Sequence, residues 1–283
     1  MSVGGVGELG LLARIKPYLD PAAGGDDAAV IEDGAGFLVV STDMFVEGKH
    51  FDLSWMSPQD VGWRSLALAL GDLAAKGADP MWALASLAVP GSWTVERVTA
   101  LYDGMHELGG HARLAIAGGD MSSIDGPAVL SLTVGGVTDA RPVPRAAARA
   151  GWAVAVTGPL GAAAVALRAK RAHRLMPRLD EGRRLNRLGL CCGDISDGLV
   201  REMEKFAAWS GRGSVIEAAA VPLAAGASVE DALTGGEEAE LVCVGPRDVI
   251  AGARLHVVGE MTEAGAVEVL GATLTRRGYD HFA

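Results

Sequence analysis

Short runs of β-branched and aliphatic residues alternate along the chain with longer stretches whose apolar positions recur at helical spacing, the pattern of a mixed α and β protein. Phe37 to Asp43 (FLVVSTD) is one such run; it ends in a polar cluster and predicts a strand that delivers Asp43 to a site at its tip. Ser57-Pro58-Gln59-Asp60 then carries an N-cap serine, a proline at the first helical position and an acid in the first turn. Val61, Leu66, Leu68, Leu70 and Leu73 supply apolar faces, so a long helix is predicted that ends near Gly77. Beyond it the pattern predicts a strand over Met81 to Val89 and a helix over Thr94 to Leu108. A strand over Arg113 to Ala117 runs into Gly118-Gly119-Asp120, and another spans Ala128 to Val137.

The periodicity halts at Arg141-Pro142-Val143-Pro144-Arg145, a proline- and arginine-rich stretch with the look of a linker. We therefore expect one domain over residues 1–140 and a second over 141–283, since domains usually hold about 100 to 150 residues. In the second half the pattern predicts a strand over Ala153 to Thr157 and a helix over Gly161 to Leu175. Asp194-Ile195-Ser196-Asp197-Gly198 follows, then an amphipathic helix ending near Trp209 and strands at Ser214 to Glu217, Glu240 to Val244 and His256 to Gly259. The uncharged run Ala150 to Leu167 has the length of a membrane span, about 18 residues. Gly158-Pro159 breaks it, however, and it reads as a buried strand, a turn and an Ala-rich helix.

Composition narrows the function. Aromatic residues are only 5 % of the 283 against 49 % hydrophobic overall, so small aliphatic side chains must build the core. The formal charge of −10 repels nucleic acid and anionic membranes, and neither is an expected partner. An anionic nucleotide can still bind where metal cations neutralise the carboxylates that meet it. Three cysteines (Cys191, Cys192, Cys243) without zinc-ribbon spacing, and an N-terminus with no secretory pattern, fit a reducing cytoplasm.

No GxxxxGK[ST] phosphate loop occurs, and Gly5-Val6-Gly7-Glu8-Leu9-Gly10 matches GxGxxG without the preceding strand a dinucleotide site needs. What the chain does offer is a set of aspartates in glycine-rich turns: Asp26, Asp27, Asp43, Asp72, Asp120, Asp194 and Asp197. Any one alone reads as a turn former. Gathered in one place they demand a hard cation between them, because several carboxylates cannot share a site without one.

The order GGDDAAV (Gly24 to Val30), STDMFVEGKHF (Ser41 to Phe51), LGDLAAKGADP (Leu70 to Pro80), AGGDMSS (Ala117 to Ser123), VTGPLG (Val156 to Gly161), DISDGL (Asp194 to Leu199), GGEEAEL (Gly235 to Leu241) and GYDHF (Gly278 to Phe282) resembles the thiamine-monophosphate kinase family nearly end to end. The resemblance implies the two-domain fold shared with aminoimidazole ribonucleotide synthetase. An N-terminal α/β domain would pair its strands with those of a second subunit in a homodimer, which would protect Val- and Leu-rich edge strands such as Ala128 to Val137; a C-terminal α+β domain would follow, and the active site would lie between them. It implies ATP-dependent phosphorylation of thiamine monophosphate to thiamine diphosphate with magnesium. Asp27, Ser41, Thr42, Asp43, Asp72, Asp120, Asp194 and Asp197 would bind the metal, with Asp43, Asp120 and Asp197 at the chemistry. Tyr102, Gly119, Asp120, Arg145 and Ser196 would contact ATP, and His50, Glu237 and Tyr279 would face thiamine monophosphate. Read without the resemblance, His50 satisfies a loop, Tyr279 anchors a tail and Arg145 is a solvated linker charge.

The resemblance fits the chemistry of phosphoryl transfer, which asks a protein for alignment and charge neutralisation more than for a base. This chain departs from the usual SDLAAMGA at Gly71 and Lys76, from GGDT at Met121, and from GGEDYEL at Glu238 and Ala239. The carboxylates are kept, so these changes bear on the acceptor pocket. The alternatives are another ATP-using synthetase of the superfamily or a nucleotide-binding module without turnover. Against the first, there is no reactive cysteine near either end; against the second, the aspartate set is intact.

Overall fold

The structure, a computed structural model, describes residues 2–20, 26–34, 36–263 and 265–282. Gly24 and Gly25 of the GGDDAAV motif lie outside the described residues. The first half comprises α1 (Gly7–Ile15), β1 (Ala29–Asp33), β2 (Gly36–Val46), α2 (Pro58–Ala75), β3 (Asp79–Val89), α3 (Val95–Ala112), β4 (Ala115–Ser123) and β5 (Val129–Thr138). Its strands form a sheet in the order β1-β2-β5-β3-β4, antiparallel except for the parallel β3/β4 pair. The second half comprises β6 (Ala153–Val156), α4 (Ala162–Arg168), α5 (Leu179–Arg187), β7 (Cys191–Asp194), α6 (Leu199–Ser210), β8 (Gly213–Glu217), α7 (Val229–Thr234), β9 (Leu241–Gly245), α8 (Arg247–Gly252), β10 (His256–Thr262) and β11 (Val267–Leu270). Here the order is β11-β8-β10-β6-β9-β7, antiparallel except for β11/β8.

The capping chemistry acts where the sequence puts it. Ser57 Oγ accepts from Asp60 N at 3.1 Å and Thr94 Oγ1 accepts from Arg97 N at 3.2 Å, starting α2 and α3. These helices pack together on one face of the first sheet, and they cross closely because Gly62 faces the Leu101 carbonyl and Gly104 the Gln59 carbonyl, where no Cβ fits. The middle of α2 belongs to the first core with Leu66, Leu70 and Leu73, whereas Ala74 and Ala75 in its last turn pack with Leu185, Leu190 and Leu241 of the second half. Helix α2 is therefore shared between two cores.

Several expectations change. The helix predicted to reach Leu175 stops at Arg168, because Lys170 turns left-handed (φ 47°) and the charged stretch beyond carries no apolar stripe; α5 was not predicted. The GxGxxG match opens α1 and is no strand-to-helix turn. The segment 113–117 does not begin a strand at Arg113, which is the left-handed C-cap of α3; β4 starts at Ala115 and runs on through Gly118, Gly119 and Asp120. The Ala128 to Val137 run, expected to be an edge strand in need of a partner subunit, is central, with β5 bonded to both β2 and β3. The free edges of this sheet are β1 and β4. Among the described residues no helix is long and apolar enough to cross a membrane.

Candidate active site

A cavity of about 600 Å³ lies where the two halves meet. Alternation along β2 buries Val39, Ser41 and Phe45 on the helix-covered side, and Asp43 shares that side, so the strand brings Ser41 and Asp43 to one wall. Helix α2 contributes Asp72, the end of β7 contributes Asp194, and the turn into α6 contributes Ser196 and Asp197. Asp27, Thr42, His50, Arg145, Glu237 and Tyr279 complete the set that the sequence pointed to and that this cavity gathers. Tyr102, Gly119 and Asp120 are not among them. They line a separate recess along β4 at the sheet edge.

Asp27, Asp72 and Asp194 each offer one carboxylate oxygen, and the three oxygens lie within 4.8 Å of one another. Ser41 Oγ donates to the Asp27 carbonyl at 3.1 Å and also bonds Asp72. Burial, then the neighbouring charges of Asp194, Asp43 and Asp27, push the Asp72 carboxyl well above its usual range. Asp194 is raised the same way, by burial first and then by Asp27 and Glu202. Asp43 is pushed up to about 6 by burial and by Asp197 and Asp27, against the pull of Lys205. Asp27 Oδ2 is buried and makes no hydrogen bond. A hard divalent cation fits this donor set, because it would supply the charge whose lack raises these carboxyls and a ligand for the unbonded oxygen.

Arg145, which the sequence alone reads as a solvated linker charge, is 3 % exposed. Its guanidinium bonds Asp26, Asp27 and Glu202, with Nε 2.7 Å from Glu202 Oε1. Burial raises the Asp27 carboxyl, but Arg145, Lys76 and Lys205 outweigh it and hold Asp27 below the usual range. The wall that carries His50, Glu237 and Tyr279 is equally organised. His50 Nδ1 accepts from Val46 N at 3.0 Å, which assigns the ring proton to Nε2. Burial and the nearby His281 and Arg64 lower its pKa, so the ring is neutral at pH 7. The His281 ring lies 5.1 Å from that of His50, tilted by 35°, and meets Tyr279 edge-on at 4.8 Å. Glu237 has a left-handed backbone (φ 60°) and pairs with the buried Arg64.

Sequence reasoning missed Lys76, Glu202, Lys205, Arg64 and His281 as members of this site. Glu202 carried a signal, since it stands among Leu199, Met203 and Phe206 in the buried stripe of α6 and a charge there needs partners. Lys205 is one of those partners: Nζ lies 3.6 Å from Glu202 and donates to Asp197 at 2.9 Å. Glu238 and Ala239, both departures from the family pattern, lie outside the cavity lining. Glu238 accepts from Gly161 N at 2.8 Å at the start of α4, and Ala239 packs against the first core.

Two sheets holding an aspartate-lined cleft between them define a protein of the AIR synthase class, and residues 25–138 match the family described as AIR synthase related protein, N-terminal domain. The chain is 32 % identical to the thiamine-monophosphate kinase of Synechococcus elongatus over 99 % of its own length and 98 % of that protein, and 33 % identical to the Rhodopirellula baltica one over 84 % and 81 %. The solved structure of AaThiL complexed with AMPPCP and TMP superposes with a TM-score of 0.89 at 29 % identity, covering 99 % of each chain. The chain belongs to the thiamine-monophosphate kinase family.

Proposed function

We infer that this protein transfers the γ-phosphate of ATP to thiamine monophosphate, giving thiamine diphosphate and ADP. The observation that carries the reading is the Asp27, Asp72 and Asp194 oxygen cluster inside a cavity whose other wall presents His50, Glu237 and Tyr279. A relative of the same fold and length was solved with AMPPCP and TMP bound, which supports ATP as donor and thiamine monophosphate as acceptor.

Magnesium held by Asp27, Asp72 and Asp194, with Ser41, Thr42, Asp43 and Asp197 beside them, would neutralise charge on the transferring group. The remaining work falls to the chain. An acceptor phosphate has a second pKa near about 6, so at pH 7 its oxygen is already largely deprotonated and needs no base. That oxygen bonds to the γ-phosphorus as the bond to the bridging oxygen of ADP breaks, in line and without a phosphoenzyme. Neutral His50 offers its Nε2 proton as a donor, and Tyr279 offers a ring face to a cationic thiazolium. Arg145 and Ser196 both line the cavity, and Arg145 would meet a nucleotide while its guanidinium already holds Asp26, Asp27 and Glu202.

Tyr102, Gly119 and Asp120 would reach a nucleotide from a second copy of the chain. Two observations support this: the sheet face opposite α2 and α3 exposes Met44 and Leu84, and β4 is a free edge carrying Met121 at 63 % exposure. A homodimer built on this face would cover the apolar residues and complete the nucleotide site. Three buried, unpaired cysteines fit a cytoplasmic protein. The deciding assay supplies purified protein with ATP, magnesium and thiamine monophosphate beside a panel of other phosphorylated acceptors. Formation of thiamine diphosphate in preference to the other products supports the reading, and turnover confined to a different acceptor overturns it.

A further inference from the structure

Among the described residues, Lys76 is the one buried lysine whose ammonium reaches the Asp26–Asp27 turn directly. Its side chain is 1 % exposed, at the C-cap of α2. The ammonium pairs with Asp26, lies 3.1 Å from Asp27 Oδ2, and donates to the Cys192 carbonyl at 2.9 Å. The contact to Asp27 Oδ2 is an ion pair, and that buried oxygen has no hydrogen-bond partner. A long, flexible side chain buried this deeply costs rotamer entropy and desolvation, and it persists only where its charge is needed. Methionine, the residue in the family pattern this chain resembles, fills much the same volume without charge.

We propose that Lys76 is a built-in cation of the phosphoryl-transfer site, which beside Arg145 holds the Asp26–Asp27 turn and takes the place of one further divalent ion. The inference rests on the reading of the carboxylate cluster as a divalent-metal site. Lys76 is a positioning residue: it touches neither donor nor acceptor, but it fixes the turn before β1 against β7 and removes one unit of negative charge from the cluster. The chain accordingly needs fewer divalent ions at full occupancy than it would with an uncharged residue at this position.

The test compares the full-length protein with Lys76→Met and Lys76→Arg by manganese titration, following free Mn²⁺ by electron paramagnetic resonance, and by thermal melting with and without saturating magnesium. We expect Lys76→Met to bind one more manganese ion per chain than the parent. Its melting temperature should fall in EDTA and recover with magnesium, the metal-induced rise exceeding that of the parent by about 5 °C or more. Lys76→Arg should keep the parental stoichiometry. Equal stoichiometry in the parent and Lys76→Met overturns the proposal, as does a Lys76→Met protein that stays unfolded even in saturating magnesium, since the lysine would then be a structural charge that metal cannot replace. A parent that binds no manganese at all overturns the metal reading itself, and with it the inference.

Discussion

Replacing Asp43 by Asn tests the carboxylate site from two directions, because stability and activity should move oppositely. Moving the Asp43 carboxyl from its ordinary 3.8 to about 6 is a shift of roughly two units, or about 3 kcal/mol at about 1.4 kcal/mol per unit. A carboxyl raised in the folded state holds its proton more tightly there than in the unfolded chain. The metal-free protein therefore loses this stability as pH climbs from about 4 to about 6 and carries the full penalty at pH 7. Asn cannot ionise and escapes the penalty, although its own buried amide offsets part of the gain; a net of about 1 to 2 kcal/mol remains, worth about 5 °C of melting temperature in a chain of this size. Turnover should fall at least about a hundredfold, the scale of losing a preorganised electrostatic contact. The assay is a melt in EDTA at pH 7 beside one at pH 4.5, followed by kinetics with magnesium. A variant that melts at or below the parent at pH 7, or that turns over at a near-parental rate, refutes the reasoning.

Three further outcomes are expected. Arg145→Met should destabilise the protein by about 3 to 5 kcal/mol, because it leaves Glu202 buried beside Asp27 with one cation fewer; a denaturant midpoint shifted by less than a quarter of that would show the network to be slack. Glu237→Gln should raise KM for thiamine monophosphate with little change in kcat, the mark of lost uniform binding, and unchanged KM would remove Glu237 from the acceptor wall. Light scattering at micromolar concentration should give a homodimer, and mixing Asp120→Asn with Asp43→Asn chains should restore part of the activity that each lacks alone; a monomer, or no restoration, would place Asp120 outside the shared site.

The sequence exposed the parts whose physics is local. Ser57 and Thr94 cap the helices they were expected to start, and aspartates in glycine turns announce themselves because glycine and acid together have few other uses. Sheet order was not legible: that the Val- and Leu-rich β5 is central and the Gly- and Ser-bearing β4 an edge is decided by non-local pairing, which a linear pattern does not show. Nor was the burial of charge. Arg145 reads as a solvated linker charge and Lys76 as no more than a departure from the family pattern, since nothing in a linear pattern shows that acids distant in sequence, Asp26 and Glu202 among them, converge on them. The division between the main cavity and the Tyr102, Gly119 and Asp120 recess was hidden for the same reason.

Because α2 serves two cores, its assembly has a timetable during synthesis. The first sheet and α3 can close around Leu66, Leu70 and Leu73 once residue 138 has emerged, yet the carbonyl that receives Lys76 and the strand that brings Asp194 belong to residues 191–194. At about 5 to 20 residues per second, roughly fifty further residues take several seconds to appear. Throughout that interval the end of α2 presents Ala74, Ala75 and a charged lysine to solvent, with Asp26 as its available partner. The last turn of this one helix is thus where a nascent chain waits, and a pause in translation after residue 141 would prolong the state in which the newborn protein is most open to capture or cleavage.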